Sequence, residues 1–378
     1  MPAPRLSLLS ACAGARTRLA SRSLCVSAPL ASSVRRSELL FTPTPEHGAL
    51  REMVRRFAAE EVEPQALVFN REERFNEALF GRLGELGLLG LTASDAHGGA
   101  GADAVSSVIV HEELSASDPA FCLSYLAHSL LFVNNLSVNG SEAQKAAWLP
   151  RACSGELLCG MAMSEPGAGT DVLGMATTAT REGSDFILRG TKLWITNGAR
   201  REGELGDVFL VYARTEGSHS LFIVPKGTPG FSLGQRIKDK CGMRASNTAE
   251  LVFDGARVPA ESALVGKQGD AVGHMMRNLE IERLALAAMS LGIARRCIDV
   301  MNSYAQERKA FGQPINRYGQ IQHYIATSYA EYAAARAYVY NTASSIDLSA
   351  SGSRLDSDGV KLYASKMATE VANRAVQT

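Results

Sequence analysis

Several features that would assign this chain to a class are missing from its sequence. No run of 18 consecutive apolar residues occurs in its 378 residues, which argues against a membrane-spanning helix. None of the seven cysteines forms a C-x-x-C pair and their number is odd, so neither a zinc site nor a disulfide framework is indicated. Lys+Arg and Asp+Glu both number 39, and a zero net charge gives no support for broad nucleic-acid binding. P-loop and dinucleotide-binding glycine motifs are also missing.

Acidic residues are absent from the first 37 positions, which contain six arginines and eight serines. This composition is typical of an organelle transit peptide. We interpret residues 1–37 as a leader that directs the chain to the mitochondrial matrix, the alternative being a basic segment of no consequence. The remaining chain carries 33 basic and 39 acidic residues and is mildly acidic.

One short motif begins like a zinc-protease site but lacks its second ligand. His111-Glu112-Glu113 would need a second histidine at position 115, where the chain has Ser115. We therefore interpret these three residues as an exposed helical face.

Apolar periodicity divides the rest of the chain into three parts. Helical spacing predominates in residues 38–154 and returns in residues 268–378. Residues 155–267 instead show alternation, β-branched residues and a hairpin turn at Glu182–Asp185, which predict an antiparallel β domain, a barrel or sandwich. The fold class is therefore α+β, with an N-terminal helical domain, a middle β domain and a C-terminal helical bundle.

Some helix ends are also predicted by their residues. Asn76 and Ser141 are good N-caps for the helices that follow them. Pro150 is predicted to end the helix that begins after Ser141, because proline disrupts a helix interior.

Two segments of the β domain carry the most distinctive chemistry. Met161–Val172 leaves a strand, turns at Glu165-Pro166 and exposes backbone N–H groups through glycines, which suits a polar or heteroaromatic ligand. Lys192–Gly198 follows, with Trp194 and Thr196 able to stack on a flat ring and hydrogen-bond to it. Alone, the first segment is equally consistent with a plain glycine-rich turn, and a tryptophan on a strand is more often part of the core.

Together, Ser164-Glu165-Pro166, Gly169-Thr170-Asp171 and Trp194–Gly198 resemble the flavin-binding signature of the acyl-CoA dehydrogenase family. Asp239–Thr248 and Arg308–Ile315 resemble two further segments of the same family, in the same order. The resemblance covers about residues 46–377 and implies an α-β-α fold with FAD between the β domain and the C-terminal bundle.

The resemblance also implies which residues contact the cofactor. Ser164 and Thr196 would bond the flavin ring, Trp194 would pack on it, and Arg308 would meet the FAD of a neighbouring subunit, which implies an oligomer, most simply a homotetramer. The full set of implied cofactor contacts is Met161, Ala162, Met163, Ser164, Gly169, Thr170, Trp194, Ile195, Thr196, Arg308 and Phe311. Reduced FAD would pass its electrons to an electron-transfer flavoprotein.

The family requires a carboxylate that removes the proton α to the thioester, and Glu282 lies at the position of that base in some branches. Its Leu-x-x-Glu-Arg-Leu context resembles the branches that act on short branched chains and on long chains, and the details are most similar to the first. Glu280 lies about 200° away around the helix axis and cannot share the face of Glu282. The backbone N–H of the base is implied as a donor to the thioester oxygen. Substrate contacts are implied for Thr170, Glu280, Ile281 and Arg283.

Some residues depart from the family pattern. Gly273 stands where the branched-chain enzymes carry a tyrosine, and the Thr215–Ser220 loop lacks a Ser-Arg pair that meets CoA. After Ala375-Val376-Gln377 the family continues for some forty residues, so we interpret the C-terminal bundle as incomplete. Two alternatives stay open: a different acyl chain length, and an inactive family member that acts only as an assembly partner. Flavin retention would distinguish the second.

Overall fold

The computed structural model describes residues 39–352 and 354–378, so the expected leader at 1–37 lies outside the described residues. A helical N-terminal part precedes a middle β-sheet, and a second helical part follows it. The predicted α+β class and the order of its three parts are confirmed.

The N-terminal part is built mainly of α-helices, and two of the predicted N-caps are confirmed. The Asn76 side chain accepts from the Leu79 N–H, and Ser141 forms a reciprocal capping box with Gln144. The predicted helix end at Pro150 is wrong, because the helix continues to Cys153. The helices are α1 Pro45–Phe57, α2 Glu63–Glu72, α3 Glu77–Glu85, α4 Ala104–Ser117, α5 Pro119–Leu126, α6 Asn135–Asn139 and α7 Glu142–Cys153.

Two π-helical segments interrupt these helices, Ala58–Val62 and Ala127–Asn134. The second joins α5 to α6 in one continuous helix, Pro119–Asn139. By length and composition this is the one helix among the described residues that could cross a membrane, but 83% of its apolar window is buried inside the protein. We therefore assign it as a core helix.

The middle part is an eight-stranded sheet with two small ribbon strands beside it. The strand order is β10-β7-β6-β2-β3-β9-β8, with β1 added on β6. The predicted hairpin at Glu182–Asp185 joins β2 to β3. Most pairs are antiparallel, but β6 pairs in parallel with both β1 and β2, which the alternating pattern did not predict. The strands are β1 Cys159–Ala162, β2 Thr178–Glu182, β3 Asp185–Thr196, β4 Ala199–Arg201, β5 Glu204–Leu205, β6 Val208–Thr215, β7 Ser218–Pro225, β8 Phe231–Arg236, β9 Thr248–Pro259 and β10 Leu264–Val265.

A long helix, α9 Ala271–Glu307, organises the C-terminal part. It packs against α4 at Gly292, where a Cβ atom would overlap Ser115 Oγ and the Glu112 carbonyl oxygen. The Ser115 hydroxyl donates to the Met289 carbonyl oxygen at 3.0 Å across this contact. The other elements of this part are α8 Ala260–Ala263, β11 Lys309–Ala310, β12 Gln313–Pro314, α10 Gly319–Ala343 and α11 Arg354–Gln377.

The interpretation of His111-Glu112-Glu113 as an exposed face is wrong, because all three residues are buried. Glu112 accepts hydrogen bonds from Arg51 at 2.9 Å and Arg336 at 2.7 Å. Tyr332 and Tyr340 donate to the same carboxylate. Four residues from two other helices therefore neutralise and solvate one buried charge.

Glu113 is held by a second set of arginines. Arg295 of α9 donates to both carboxylate oxygens, at 3.0 and 2.8 Å, and Arg55 and Arg51 of α1 donate to them as well. Burial alone would raise the pKa of Glu113, but the hydrogen bonds from Arg295 and Arg55 and the charges of Arg295 and Arg51 lower it to about 2. We call Glu112, Glu113 and their four arginines the buried charge cluster; it joins α1, α4, α9 and α10.

We predict that Glu113→Gln destabilises the protein by about 3–5 kcal/mol, because it leaves buried guanidinium groups without their carboxylate. The free energy of unfolding at pH 7, measured by urea titration, checks this. Glu182→Gln is the matched control: Glu182 pairs with Arg257 on the exposed surface of the sheet, at 2.9 Å, and should change stability by roughly 0–1 kcal/mol. Equal effects of the two substitutions would contradict the prediction.

Candidate active site

The segment that leaves β1 is fixed by backbone hydrogen bonds. The Leu193 N–H of β3 donates to the Ser164 carbonyl oxygen at 2.9 Å. Glu165 and Ala168 then exchange two backbone hydrogen bonds, of 3.0 and 3.2 Å, in a tight turn. Met161 and Ser164 are partly buried, Ala162 and Met163 are buried, and Gly169 and Thr170 lie on the exposed loop. The structure therefore brings Ser164 beside β3 and leaves Gly169 and Thr170 accessible.

Trp194 lies at an irregularity in β3 that turns its side chain outward. The pairing of β3 with β9 shifts register between Lys192 and Ile195, and Trp194 has a positive φ of 61°. In a regular strand, residues 192 and 194 would point to the same face. Here the bulge leaves Lys192 fully buried while 53% of Trp194 is exposed. A bulky residue at positive φ is energetically unfavourable, and such strain concentrates at functional sites.

The end of β3 is also tied to the rest of the molecule. The Asn197 side chain donates to the carbonyl oxygens of Ser124 and Cys159, at 3.0 and 2.9 Å. This places the partly buried Thr196 and the buried Ile195 next to β1. An open indole face with the Ser164 and Thr196 hydroxyls nearby fits a planar heteroaromatic ligand that has polar edges.

The candidate base, Glu282, lies in the first half of α9 and is only partly exposed. Burial raises its pKa to about 7, although the charges of Arg283 and Lys361 act in the opposite direction. Within the described part of the chain it has no hydrogen-bond or ion-pair partner. An isolated carboxylate of this kind can accept a proton near neutral pH.

The face of α9 that carries Glu282 points toward the end of β1. Asn278, one helical turn earlier, is buried, and its Nδ2 contacts Met161 Sδ at 3.4 Å. Asn135 donates to the Tyr212 hydroxyl at 3.2 Å. Burial raises the pKa of Tyr212 to about 12, and the nearby Glu282 carboxylate adds to this rise. Glu282, Asn278, Met161 and Tyr212 therefore surround one region between α9 and the sheet.

The neighbours of Glu282 in sequence have other partners. Glu280 is buried and accepts a hydrogen bond from the Gly352 N–H at 3.0 Å, Ile281 packs in the helical core, and Arg283 pairs with Asp358 of α11 at 3.1 Å. Their substrate contacts stay predictions. The backbone N–H of Glu282 lies in the interior of α9, where it bonds the Asn278 carbonyl oxygen, so its implied role as donor to the thioester is wrong.

Arg308 and Phe311 lie far from this region in the same chain. Arg308 follows the last residue of α9, and a rise of 1.5 Å per residue places it roughly 39 Å along the axis from Glu282. Phe311 and Gly312, both at positive φ, form the turn of the β11–β12 hairpin, and Phe311 is 98% exposed. A contact of this hairpin with a site like the one described would have to come from another copy of the chain.

Sequence reasoning missed two features of the site. Asn278 could have been found by counting one turn back from Glu282, but the motif drew attention only to the base. Glu165 and Lys192 form a buried ion pair, with Oε1 and Nζ 2.9 Å apart. Both residues belong to the motifs, but the pairing was not predicted, since the bulge that buries Lys192 does not follow from alternation.

Three comparisons with known proteins agree. The chain matches the N-terminal, middle and C-terminal domains of acyl-CoA dehydrogenase over residues 44–156, 160–256 and 272–378. It is 41% identical to the mitochondrial isovaleryl-CoA dehydrogenase of Pongo abelii over 88% of this chain and 79% of that protein. The structure of glutaryl-CoA dehydrogenase from Mycobacterium smegmatis matches with a TM-score of 0.83 at 33% identity, over 88% of this chain and 84% of that one. A structure of glutaryl-CoA dehydrogenase from Mycobacterium smegmatis in complex with FADH2 matches with a TM-score of 0.82 at 30% identity, with the same coverage.

We predict that Trp194→Asn weakens FAD binding to the apoprotein by about tenfold, roughly 1.4 kcal/mol, through loss of the stacking face. The free energy of unfolding should change by less than about 1 kcal/mol, because asparagine tolerates the positive φ that tryptophan does not. Tyr329→Asn, at a residue that is 62% exposed on α10, is the control for removing an exposed aromatic ring. Equal FAD affinities in the Trp194 variant and the wild type would argue against this placement.

Proposed function

The chain belongs to the acyl-CoA dehydrogenase family, and on that premise we propose that it dehydrogenates a short branched acyl-CoA, isovaleryl-CoA first, as a step of leucine catabolism. It is an oxidoreductase that acts on a CH–CH bond of an acyl-CoA, with FAD as its cofactor. The relative from Pongo abelii supports the branched substrate and a mitochondrial location. The observation that carries the proposal is the partly buried Glu282, which has no ion-pair partner among the described residues and lies on the face of α9 directed toward the end of β1.

Glu282 is the proposed general base. Because burial raises its pKa to about 7, the carboxylate is basic enough to take the proton α to the thioester and is still largely ionised just above neutral pH. FAD, when bound, supplies the acceptor for the hydride from Cβ. Asn278, one helical turn before Glu282, contacts Met161 Sδ at 3.4 Å, and we propose that this contact limits the access of water to the base.

The residues that would hold FAD are those at the ends of β1 and β3. The hydroxyls of Ser164 and Thr196 and the backbone of Met161–Met163 and Ile195 would bind the ring edge, and Trp194 would cover one face. Gly169 and Thr170, on the exposed loop, would meet the outer parts of the cofactor and the CoA. Arg308 and Phe311 would reach the FAD of a neighbouring subunit, in a homotetramer that passes electrons to an electron-transfer flavoprotein in the mitochondrial matrix.

A second candidate substrate is a short acyl-CoA whose chain carries a polar end. Asn278 Oδ1 is buried and has no hydrogen-bond partner among the described residues, and neither do Nε and Nη2 of the buried Arg277 beside it. Unpaired buried polar atoms of this kind are unfavourable unless a ligand bonds them. Similarity to a glutaryl-CoA dehydrogenase favours the same candidate.

We predict that the protein purified with FAD is yellow and is bleached anaerobically by its acyl-CoA substrate. Glu282→Gln should keep flavin and acyl-CoA binding but reduce the rate of bleaching by about 10²–10⁴-fold, because the base is lost. Stopped-flow absorbance with isovaleryl-, butyryl- and glutaryl-CoA measures both points. Fastest bleaching by glutaryl-CoA would favour the second candidate.

The control for this experiment is Asp299→Asn, which changes an exposed carboxylate on the same helix and should leave bleaching unchanged. Rapid bleaching in the Glu282 variant would rule out the base assignment. A colourless wild-type protein would instead favour the assembly partner.

We also predict that kcat/KM rises with pH through an apparent pKa near 7. Glu282 is protonated and inactive below that value and ionised above it, because burial raises its pKa from 4.5 to about 7. The folded protein therefore binds more protons than the unfolded chain between these values, so this group lowers stability as pH rises through that window. Steady-state kinetics from pH 5.5 to 8.5 tests the rate; a flat profile would contradict it.

A further inference from the structure

Lys192 is an unusual residue to find inside a β domain. Its side chain is completely buried, and its ammonium group has three partners: the Met163 carbonyl oxygen at 2.9 Å, Glu165 Oε1 at 2.9 Å and Met175 Sδ at 3.6 Å. A lysine has three N–H donors, so each one is used. Every partner belongs to the segment that leaves β1 or returns from it.

Glu165 holds the far end of the same loop. Its carboxylate accepts from the Ala176 N–H at 2.5 Å and the Thr177 N–H at 3.0 Å, just before β2 begins. Burial acts to raise the pKa of Glu165, but the hydrogen bonds from Thr177 and Lys192 outweigh it and lower the pKa. One ion pair therefore closes the loop 165–177 onto itself and onto β3.

The same pair determines where the ligand-facing groups point. Because Lys192 is fixed inward, the bulge that follows turns Trp194 outward, and between them the Leu193 N–H bonds the Ser164 carbonyl oxygen. Three consecutive residues of β3 thus anchor the loop, align Ser164 and present the indole. A buried ion pair is seldom more stabilising than apolar side chains of the same volume. A contribution to stability therefore does not explain why this pair is present.

We infer that the Glu165–Lys192 pair is a positioning element of the flavin site, which holds the Ser164 segment and the Trp194 bulge in the conformation that FAD requires. This inference rests on the proposed function, since the site it serves is the proposed FAD site. Neither residue needs to touch the reacting atoms: both act through the loop and the strand.

The test replaces the pair by uncharged groups of similar size, Glu165→Gln with Lys192→Met, in the full chain. We expect the dissociation constant of FAD for the apoprotein to rise at least tenfold and the visible circular dichroism of bound flavin to change. In the apoprotein, thermolysin should cut faster at Val172 and Leu173, in the loop that the pair closes. The last measurement needs neither cofactor nor activity.

The matched control is Glu182→Gln with Arg257→Met, which removes the ion pairs of Arg257 with Glu182 and Asp185 from the exposed surface of the same sheet. It should alter none of the three readouts. If the double variant of the buried pair does not fold, Glu165→Gln alone replaces it, because Lys192 keeps its bond to Met163; we then expect a smaller effect in the same direction.

Unchanged FAD affinity and unchanged loop cleavage in a folded variant would overturn the inference, since the pair would then serve only the stability of the sheet. That result differs from failure of the proposed function. A wild-type protein that binds no FAD, or whose FAD no acyl-CoA reduces, would contradict the function itself.

Discussion

The architecture depends on how α9 is fixed, and the buried charge cluster fixes it. Arg295 of α9 binds both oxygens of Glu113, and Gly292 brings the same helix into contact with α4. Arg295 lies 13 residues after Glu282, about 220° away around the helix axis. Holding one side of α9 against α4 therefore leaves the side that carries Glu282 facing the β-sheet. Rotation of α9 about its axis would turn Glu282, the proposed base, away from the sheet.

The candidate site beside this helix depends both on contacts between residues close in sequence and on contacts between distant parts of the chain. The β3 bulge and the loop closed by Glu165–Lys192 fall within residues 161–196 and define the surface on which the flavin is proposed to lie. Glu282 reaches that surface from another part of the chain, through the packing of α9 on the sheet. The two roles proposed for the site, binding the cofactor and removing a proton, thus depend on different sets of contacts.

The sequence pattern was sufficient to predict those structural features that a short stretch of the chain determines by itself. It predicted the α-β-α order, the Asn76 and Ser141 caps and the β2–β3 hairpin, since each depends on a few adjacent residues. It failed at Glu112 and Glu113, whose burial depends on arginines 58 to 224 residues away, and at β1, whose parallel pairing with β6 depends on the whole sheet. For the candidate site, motifs singled out Ser164, Trp194 and Glu282, whose roles stay predictions, but they did not indicate the inward Lys192 or the position of Asn278.

The outward position of Trp194 has an optical consequence. The chain has two tryptophans, and the other, Trp148, lies partly buried on α7. An indole that is half in water emits at longer wavelength than one enclosed by protein, so the two contribute different bands to the intrinsic fluorescence. A planar ligand that covers Trp194 would quench the red-shifted band by direct contact, which it would not make with Trp148. The bulge therefore gives the chain a built-in spectroscopic reporter at the end of β3.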